Sequence, residues 1–558
     1  MKKTLIFLSI FFVILSFTPS LFEIYHQKDL PLDRVFVLEH NYTFDYNFYL
    51  SRIREGIEGR RMVVEKYYNK PHQGSLFQIF YLLMGKTGSI LPLDPGVIYH
   101  SARVILGLFF LLCIVKYITG IFNGFWQIVA FLFVVTGGSW PIPIKIGNFW
   151  RFSTYMGWWS VTDSLQRITF LPHVILGQLF ILLFIWIFSG KKLIKTWAMI
   201  LTVMSGLIMG IVFPPTLIVV YTFLAILSIY ELMKTVVDSK SENELLKGVK
   251  KWLREKAVNR TLFILLTVPA FIYLQMMFRV WPWKALALFD IQHRIILPYL
   301  DYALSLGPVL PLGLAGGGIV IFRKEKKLIP AVFWIITIVL LIVIFENIPQ
   351  QSPSRFTEAA INIPLGILAA YLIEVLWQNA EKATNLVKIR VRLVLGVVTL
   401  GVVVLGLLVM VSMVGWLTDQ ARFKREGTFL YPSGAQLIYP LKGFMEAIYF
   451  LKNNSNKDNV VLAYEAAGNY IPAYAGNYVY LGHANTPDER NKKITAQEFF
   501  EGSMKENEAK NYLKEERISY VYFGPQEREF GVENLTTVYP FISNTIFDNE
   551  MVKIYKVD

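Results

Sequence analysis

The chain of 558 residues is poor in cysteine and in charge. Its single cysteine, Cys113, lies inside an apolar run, so no disulfide within the chain can hold an external domain together. Charged residues make up only 17% of the chain, hydrophobic residues make up 54%, and the mean hydropathy is +0.44. A water-soluble protein of this size needs more charge to cover its surface, so the composition predicts a membrane protein.

The apolar residues occur in runs of about 20, the length that a helix needs to cross the hydrocarbon layer of a membrane. The short alternating pattern of an outer-membrane barrel is missing, so the runs predict helices. The first run, Thr4 to about Phe22, is long and has no small-x-small cleavage site, which favours an uncleaved anchor over a secretory signal peptide. Ten further spans are predicted near residues 97–116, 126–143, 170–189, 196–213, 215–233, 261–279, 304–322, 328–346, 357–377 and 393–416.

The net charge of +14 is interpreted as a topology signal and not as nucleic-acid binding, because much of it lies in short loops between apolar runs. With the N-terminus in the cytoplasm and eleven spans, every basic loop falls on the cytoplasmic side, as the positive-inside rule requires. This orientation places the chain in the plasma membrane with residues 417–558 outside. The basic clusters are Lys191, Lys192 and Lys195; Lys247, Lys250, Lys251, Arg254 and Lys256; Arg323, Lys324, Lys326 and Lys327; and Lys388, Arg390 and Arg392.

Residues 417–558 alternate short predicted strands with helical patterns, which is typical of a small α/β domain. No phosphate-cradling Gly-rich loop, metal-spaced His or Cys cluster, or nucleophile elbow occurs there, which argues against a second catalytic centre. The predicted fold class is a polytopic α-helical membrane protein with about eleven transmembrane helices and a small C-terminal soluble α/β domain. Residues 1–416 form the transmembrane region, with a long first external loop at 23–95. The predicted strands are 460–463, 478–481, 520–523 and 552–555, and the predicted helices are 495–503 and 506–516.

The first external loop carries Glu39, His40 and Asp45 among aromatic residues. Asp45 lies at the start of an amphipathic helix, with Phe48 and Ile53 on or near its apolar face. An acid at a helix start often serves only as an N-cap. An acid among aromatic residues at the membrane surface is also a candidate general base.

The second external stretch, about residues 143–169, combines tryptophans with charged residues. Tryptophans at this depth commonly anchor a protein in the membrane interface. Tryptophan rings beside Arg and Asp also suit sugar binding, because rings stack on sugar faces while polar groups hold hydroxyls. His173, just inside the next apolar run, is either structural or in contact with substrate. The polar and aromatic residues are Lys145, Asn148, Trp150, Arg151, Trp158, Trp159, Asp163, Gln166 and Arg167.

Two later external segments also contain ionisable residues. Asp290, His293 and Arg294 are interpreted as a solvated loop at the lipid head-groups. In the segment that enters the tenth span, Arg355 and Glu358 are one helical turn apart and could pair with each other. Alternatively, an arginine at the external membrane boundary can bind the phosphate of a lipid carrier.

This pattern resembles the GT-C superfamily of membrane glycosyltransferases, which includes protein O-mannosyltransferases, aminoarabinose transferases and oligosaccharyltransferases. The likeness lies in the layout of the membrane region and in two short motifs. The segment from Phe44 to Arg52 resembles the first-loop motif of the family, an acid followed by aromatic and polar residues. The segment Gln351-x-x-x-Arg355-Phe356-x-Glu358 is similar to a late-span motif of uncharacterised prokaryotic members.

The resemblance implies a hexosyltransferase-type enzyme that takes a sugar from a polyprenyl-phosphate donor with inversion. Asp45 would be the general base, and Glu39 or Asp163 would supply a second acid, unless none is needed. Many members carry two adjacent acids where Asp45 stands alone, so a divalent cation such as Mg²⁺ or Mn²⁺ is left open. The acceptor would be a protein, a lipid or a glycan. The residues expected to bind donor or lipid phosphate are Arg355, Glu358, Gln351, Arg52, Lys145, Arg151, Asp163 and His173.

Three alternatives remain open at this point. A transporter or flippase would place ionisable groups or broken helices near the bilayer midplane, often with an internal repeat. A polysaccharide polymerase or ligase would carry its long functional loop late in the membrane region, whereas the long loop here comes first. A catalytically silent relative would use its C-terminal domain to dock partners.

Overall fold

The computed structural model describes residues 1–190, 195–434 and 438–557, so Lys191 and Lys192 of the first basic cluster lie outside the described residues. The chain divides into two compact units, each built from three segments. Unit 1 comprises Met1–Thr18, Ala102–Tyr273 and Arg294–Trp416. Unit 2 comprises Pro19–Ser101, Leu274–His293 and Leu417–Asp558, so it contains the whole predicted first external loop together with the predicted C-terminal domain.

The first part of the chain is almost entirely helical, apart from one β-hairpin. Its helices are α1 Lys2–Tyr25, α2 Thr43–Ile57, α3 Ile79–Ile90, α4 Pro95–Thr119, α5 Trp126–Thr136, α6 Pro172–Ser189, α7 Thr196–Val212, α8 Pro215–Asp238, α9 Glu242–Trp252, α10 Val258–Met277, α11 Trp283–Gln292, α12 Tyr299–Ser305, α13 Val309–Arg323, α14 Ile329–Phe345, α15 Asn362–Ala380 and α16 Asn385–Glu426. The hairpin strands are β1 Pro141–Ile146 and β2 Phe149–Thr154.

Within the described residues, seven helical stretches are long and apolar enough to cross a membrane: α1, α4, α6, α8, α9 with α10, α15 and α16. The pair α12 and α13 passes the same test as one bent span. The shorter apolar helices α5, α7 and α14 coincide with the three remaining predicted spans. The polytopic helical fold is therefore confirmed, while the count of about eleven spans stays a prediction.

The predicted span at 304–322 is broken, because α12 and α13 meet at 86°. Gly307, between them, has a positive φ of 60°. A Cβ at this position would lie 1.8 Å from the carbonyl oxygen of Gly138, so only glycine fits the close approach. Pro308 follows at once and lacks the N–H that would continue the helix.

The predicted span at 126–143 is also shorter than expected. Its helix, α5, ends at Thr136, and the chain continues as the antiparallel hairpin of β1 and β2. Two glycines, Gly137 and Gly138, and the prolines Pro141 and Pro143 explain the change, because these residues disfavour a helix interior. The hairpin was not predicted from the sequence.

The C-terminal part of unit 2 contains a five-stranded mixed sheet. Its strands are, in spatial order, β4 (Tyr478–Val479), β3 (Val460–Leu462), β5 (Ile518–Phe523), β7 (Lys553–Lys556) and β6 (Thr545–Asp548). β3 is parallel to both β4 and β5, whereas β7 is antiparallel to β5 and β6. The predicted α/β character is confirmed, but β6 and the helices α17 and α18 were missed. The elements are α17 Lys442–Asn454, β3 Val460–Leu462, α18 Glu465–Tyr474, β4 Tyr478–Val479, α19 Glu489–Phe500, α20 Glu506–Glu515, β5 Ile518–Phe523, α21 Pro525–Arg528, α22 Leu535–Val538, β6 Thr545–Asp548 and β7 Lys553–Lys556.

Helix α2, which carries Asp45, packs tightly on α3 within unit 2. A Cβ on Gly56 of α2 would lie 2.0 Å from Leu82 O, and a Cβ on Gly85 of α3 would lie 1.9 Å from Ile53 O. Facing glycines therefore allow the two backbones to approach closely, as small residues do between membrane helices. This close approach fixes the position of α2 and hence of Asp45.

A buried lysine of unit 2, Lys492, makes folding stability depend on pH. Its Nζ donates to Asn69 Oδ1 at 2.6 Å and to Tyr480 O at 2.9 Å. Burial lowers the pKa of the Lys492 amine from 10.5 to about 7. The unfolded chain therefore binds more protons than the folded chain between about pH 7 and pH 10.5, and stability rises with pH across that window.

Replacing Lys492 with methionine is expected to flatten this rise, because one proton contributes a slope of up to about 1.4 kcal/mol per pH unit. Thermal unfolding of the detergent-purified chain at a series of pH values measures the slope. Lys66, whose pKa burial lowers to about 8, keeps a smaller rise of the same sign in the variant. The exposed Lys505→Met is the control and should keep the wild-type slope. A wild-type slope in the Lys492 variant would contradict the prediction.

Candidate functional site

Helix α2 places Asp45 in its first turn with the side chain 48% exposed. The helix buries its apolar residues, including Tyr46, Phe48 and Ile53, and it begins without a side-chain cap. Asp45 therefore does not act as the N-cap, which was the structural alternative for this residue. Because the Asp45 carboxylate is half-exposed, it can contact a ligand without any rearrangement of the packed helix that carries it.

The imidazole of His483 lies beside Asp45, with Nε2 at 3.4 Å from Asp45 Oδ1. Its side chain is only 4% exposed, and its ring stacks on Phe48 with a centroid distance of 4.5 Å. Sequence reasoning missed His483. The signal that could have found it is its position two residues after the predicted strand 478–481, where polar side chains often gather at the end of a strand.

Glu39 is buried and has partners on both carboxylate oxygens. Its Oε1 accepts from Tyr470 Oη at 2.7 Å, and its Oε2 is 3.4 Å from Lys424 Nζ. The Lys424 amine also contacts Glu23 Oε1 at 2.9 Å and Val37 O at 2.7 Å. This network ties the first external loop to the end of α16 within unit 2. The role of Glu39 as a second catalytic acid stays a prediction.

Arg52 is enclosed within unit 2, with its side chain 0% exposed. Its Nη1 is 3.0 Å from Glu55 Oε1, and its Nη2 is 2.7 Å from Glu65 Oε2. The guanidinium also lies over the Phe48 ring at 4.3 Å. These contacts hold the guanidinium within the loop that carries Asp45, and the role of Arg52 in binding phosphate stays a prediction.

In unit 1, Arg355 lies on the short 3-10 helix Pro353–Glu358 with its side chain 37% exposed. Its Nη1 is 3.7 Å from Oε1 of Glu358, so the two residues pair as the alternative interpretation expected. Gln351 lies just before this helix and is half-buried. A guanidinium that is 37% exposed can be reached by an anion from solvent.

The Arg355 helix is held in place by hydrogen bonds from other parts of unit 1. Trp159 Nε1 donates to Thr357 Oγ1 at 2.8 Å, and Gln178 Nε2 donates to Glu358 O at 2.9 Å. Trp334 Nε1 donates to Ala359 O at 3.0 Å. The second external stretch, represented by Trp159, therefore lies beside the segment that carries Arg355, as a shared site requires.

Asp163 and Arg167 form a buried polar cluster near this segment of unit 1. Asp163 Oδ1 accepts from the backbone N–H groups of Leu165 and Gln166 at 2.7 and 3.0 Å. Burial raises the pKa of the Asp163 carboxyl, opposed by those hydrogen bonds and by Arg167. The Arg167 guanidinium donates to three backbone carbonyls in the last turn of α5 and just after it. These bonds indicate a structural contribution from Asp163, and its substrate role stays a prediction.

The remaining candidates of unit 1 lie on the β-hairpin and in the first turn of α6. Arg151 on β2 lies over the Trp416 ring at 5.4 Å, next to the C-terminal half of α16. Lys145 on β1 is exposed. His173, in the first turn of α6, packs against the Phe213 ring at 5.9 Å. Each position is compatible with the predicted contacts to donor or acceptor.

In the part of the chain that the structure describes, the side chains beside Asp45 do not form a metal-binding cluster. Among residues 1–190, 195–434 and 438–557, no group of three or more His, Cys, Asp or Glu side chains could hold a metal ion. Beside Asp45 lies the imidazole of His483. We therefore derive no chemical step through a metal.

The chain is a polytopic helical membrane protein, and its fold is similar to that of a solved membrane protein, ArnT. The structure of ArnT from Cupriavidus metallidurans bound to undecaprenyl phosphate has a TM-score of 0.51 and 9% sequence identity. The match covers 98% of this chain and 97% of ArnT. The GT-C resemblance predicted from the sequence is thereby confirmed at the level of the fold.

Two further structures are similar with lower scores. AglB from Archaeoglobus fulgidus, in complex with an inhibitory peptide and a dolichol-phosphate, has a TM-score of 0.48 and 11% identity, over 92% of this chain and 69% of AglB. The arabinofuranosyltransferase AftD from Mycobacteria has a TM-score of 0.48 and 12% identity, over 98% of this chain and 40% of AftD. No protein-family model matches the chain, and a search of curated proteins found no match.

Proposed function

We propose that the chain is a membrane glycosyltransferase that moves a sugar from a polyprenyl-phosphate carrier to an acceptor on the outer face of the membrane. The observation that carries the proposal is the half-exposed Asp45 carboxylate, held on α2 beside a buried imidazole, in a chain with the fold of ArnT. The undecaprenyl phosphate bound to ArnT supports a lipid phosphate as the leaving group here.

In the proposed reaction, Asp45 removes the proton of an acceptor hydroxyl. The acceptor oxygen then forms a bond to the anomeric carbon of the sugar, on the face opposite the lipid phosphate. The bond between that carbon and the phosphate oxygen breaks, and the electron pair leaves with the polyprenyl phosphate. The configuration of the anomeric carbon is inverted, and the proton remains on Asp45 until solvent removes it.

Arg355 is the proposed partner of the departing phosphate. Negative charge grows on the phosphate as the bond breaks, and a guanidinium with two parallel N–H groups stabilises such a charge. Its exposure of 37% leaves room for an anion, while Glu358 holds its orientation. Gln351, Lys145, Arg151 and His173 are proposed to contact donor or acceptor around it.

The proposed orientation follows the charge pattern of the loops. The basic clusters and the N-terminus lie in the cytoplasm, and the chemistry takes place on the external side, where polyprenyl-phosphate sugars are presented after they cross the membrane. The sugar is proposed to be a hexose-type unit, and the acceptor a protein, a lipid or a glycan of the cell envelope.

A reconstitution experiment tests the function. The full chain is incubated in proteoliposomes with a panel of radiolabelled undecaprenyl-phosphate sugars and with envelope extract as acceptor. We expect one donor to be consumed, with release of undecaprenyl phosphate and a product of inverted configuration by NMR. A panel in which no donor is consumed, or a product of retained configuration, would contradict the proposal.

Replacing Arg355 with alanine is expected to lower the turnover number by about 10²- to 10³-fold, because a donor to the developing charge is lost. Arg355→Lys should recover part of the rate, since it keeps the charge but not the bidentate geometry. The measurement is steady-state kinetics with the donor that the wild-type chain uses.

Two controls separate this effect from structural damage. Because Arg355 pairs with Glu358, a double variant Arg355→Ala with Glu358→Gln removes the unpaired carboxylate and should remain as slow as the single variant. The exposed Arg390→Ala, in a predicted cytoplasmic loop, should keep wild-type kinetics. Full recovery of turnover in the double variant would show that Arg355 acts only by neutralising Glu358.

One observation favours a second candidate function, a lipid flippase or transporter. The 86° break between α12 and α13 is the kind of discontinuous helix that transporters place at their binding sites. Movement of a fluorescent undecaprenyl-phosphate sugar between leaflets of proteoliposomes, without release of undecaprenyl phosphate, would support this function over transfer.

A further inference from the structure

The ring of His483 has a defined proton position. Its Nδ1 accepts a hydrogen bond from the backbone N–H of Asn485 at 3.1 Å, so Nδ1 carries no proton. A neutral imidazole has one N–H, which must therefore be on Nε2. The hydrogen bond at Nδ1 thus assigns Nε2 as a donor, and Asp45 Oδ1 lies 3.4 Å from it.

The Nε2 atom of His483 is buried and has no hydrogen-bond partner among the described residues, because the 3.4 Å contact with Asp45 Oδ1 falls short of hydrogen-bond geometry. A buried donor without an acceptor costs about 1–3 kcal/mol, so a fold keeps one only where it meets a partner or a ligand. The Asp45 carboxylate is the acceptor within reach. Hydrogen bonds of this type are often long in ligand-free enzymes and tighten when substrate binds.

The position of His483 is fixed by its surroundings in unit 2. Its ring stacks on Phe48 at 4.5 Å and lies 5.4 Å from the Tyr67 ring. The turn that carries it is closed by a hydrogen bond from Thr486 N to His483 O at 2.8 Å. The imidazole therefore cannot follow the carboxylate, and the more exposed Asp45 side chain adjusts to it.

We propose that His483 is a positioning residue for the general base: its Nε2–H holds one oxygen of Asp45, so that the other oxygen faces the acceptor hydroxyl. The inference rests on the proposed function of Asp45. It gives the C-terminal part of unit 2 a direct contribution to the reaction, because the helix that bears the base and the turn that orients it come from opposite ends of the chain.

Two substitutions at His483 separate positioning from packing. His483→Phe keeps the aromatic stack on Phe48 and removes the N–H. His483→Gln removes the stack and can place an amide N–H close to the position of Nε2. We expect turnover to fall by about 10- to 100-fold in the phenylalanine variant and to be restored to within about threefold in the glutamine variant, with KM for the donor unchanged in both.

A purely structural role predicts the reverse order. In that case the phenylalanine variant keeps wild-type turnover and thermal stability, while the glutamine variant is destabilised and slow, and this result would overturn the inference. Thermal unfolding of each variant is measured alongside the kinetics. If neither variant changes turnover, the inference is also overturned.

A double-mutant cycle distinguishes failure of this inference from failure of the proposed function. In an Asp45→Asn background, His483→Phe should cause no further loss, because the imidazole acts only through that carboxylate. Wild-type transfer by Asp45→Asn alone would overturn the proposed function itself. An inactive Asp45→Asn combined with a fully active His483→Phe would overturn only the positioning role.

Discussion

Transfer of sugar by the Asp45→Asn variant is expected to be about 10²- to 10⁴-fold slower than by the wild-type chain. Asparagine has nearly the same shape as aspartate but cannot take a proton from the acceptor hydroxyl. The substitution should leave folding almost unchanged, because the side chain is 48% exposed and makes no cap to α2. Loss of a negative charge in the first helical turn costs at most about 1 kcal/mol.

The initial rate of undecaprenyl phosphate release measures this effect. Asp458→Asn is a matched control, since Asp458 is a 72% exposed aspartate of the same unit that pairs with Arg60 at 2.6 Å. Exposed ion pairs contribute little to stability, so this control should keep wild-type transfer within about twofold. Wild-type transfer by the Asp45 variant would remove that residue from the mechanism.

Among the proposed substitutions, removal of the buried Arg52 charge is expected to cause the largest decrease in the free energy of unfolding. Arg52→Met leaves Glu55 and Glu65 without the guanidinium that both contact, and breaking such a buried pair costs about 3–5 kcal/mol. Burial raises the pKa of the Glu55 carboxyl, and the Arg52 charge opposes that rise. The melting temperature of the detergent-purified chain should fall accordingly.

Two further variants test whether the loss of stability in Arg52→Met comes from the unpaired buried carboxylates. Neutralising the two acids as well, in a triple variant with Glu55→Gln and Glu65→Gln, should recover part of the stability, because no unpaired buried charge then remains. Arg61→Met, at an exposed arginine shortly after α2, should melt like the wild-type chain. A wild-type melting temperature for Arg52→Met would show that the two carboxylates are neutral or solvated in the folded chain.

This prediction also bears on how Arg52 contributes to function. The sequence suggested that Arg52 helps to bind the lipid phosphate, whereas its guanidinium is enclosed and fully engaged in unit 2. We therefore expect Arg52→Lys to lower turnover only in proportion to the fraction of chain that it leaves unfolded, with the KM for the donor unchanged. A folded, stable Arg52→Lys chain with a raised KM for the donor would restore the phosphate-binding interpretation.

The organisation of the chain has a consequence for the C-terminal domain. Unit 1 ends at Trp416, next to the predicted domain boundary, but unit 2 also contains the whole predicted first external loop. Asn47 and Asn469, 422 positions apart in the sequence, are joined by a hydrogen bond of 2.8 Å. The segment 417–558 therefore packs in one compact unit with the loop that carries Asp45.

The sequence by itself determined the membrane architecture. A helix crosses a bilayer only if about 20 successive residues are apolar, and this local requirement can be read from the chain without knowledge of its neighbours. The same holds for the predicted strands around residues 460, 478, 520 and 553, where short apolar runs lie between turn residues. The acid at Asp45 was also selected by its local setting, at the start of an amphipathic helix.

Only the tertiary structure decided what surrounds these residues. The break at Gly307 depends on the approach of Gly138, the enclosure of Arg52 depends on Glu65, and the imidazole beside Asp45 comes from position 483. Each of these contacts joins segments that are not neighbours along the chain. Local hydropathy and periodicity cannot predict which distant segments pack together. The physical reason is that spans are specified one segment at a time, whereas a polar site is specified by the packing of several segments together.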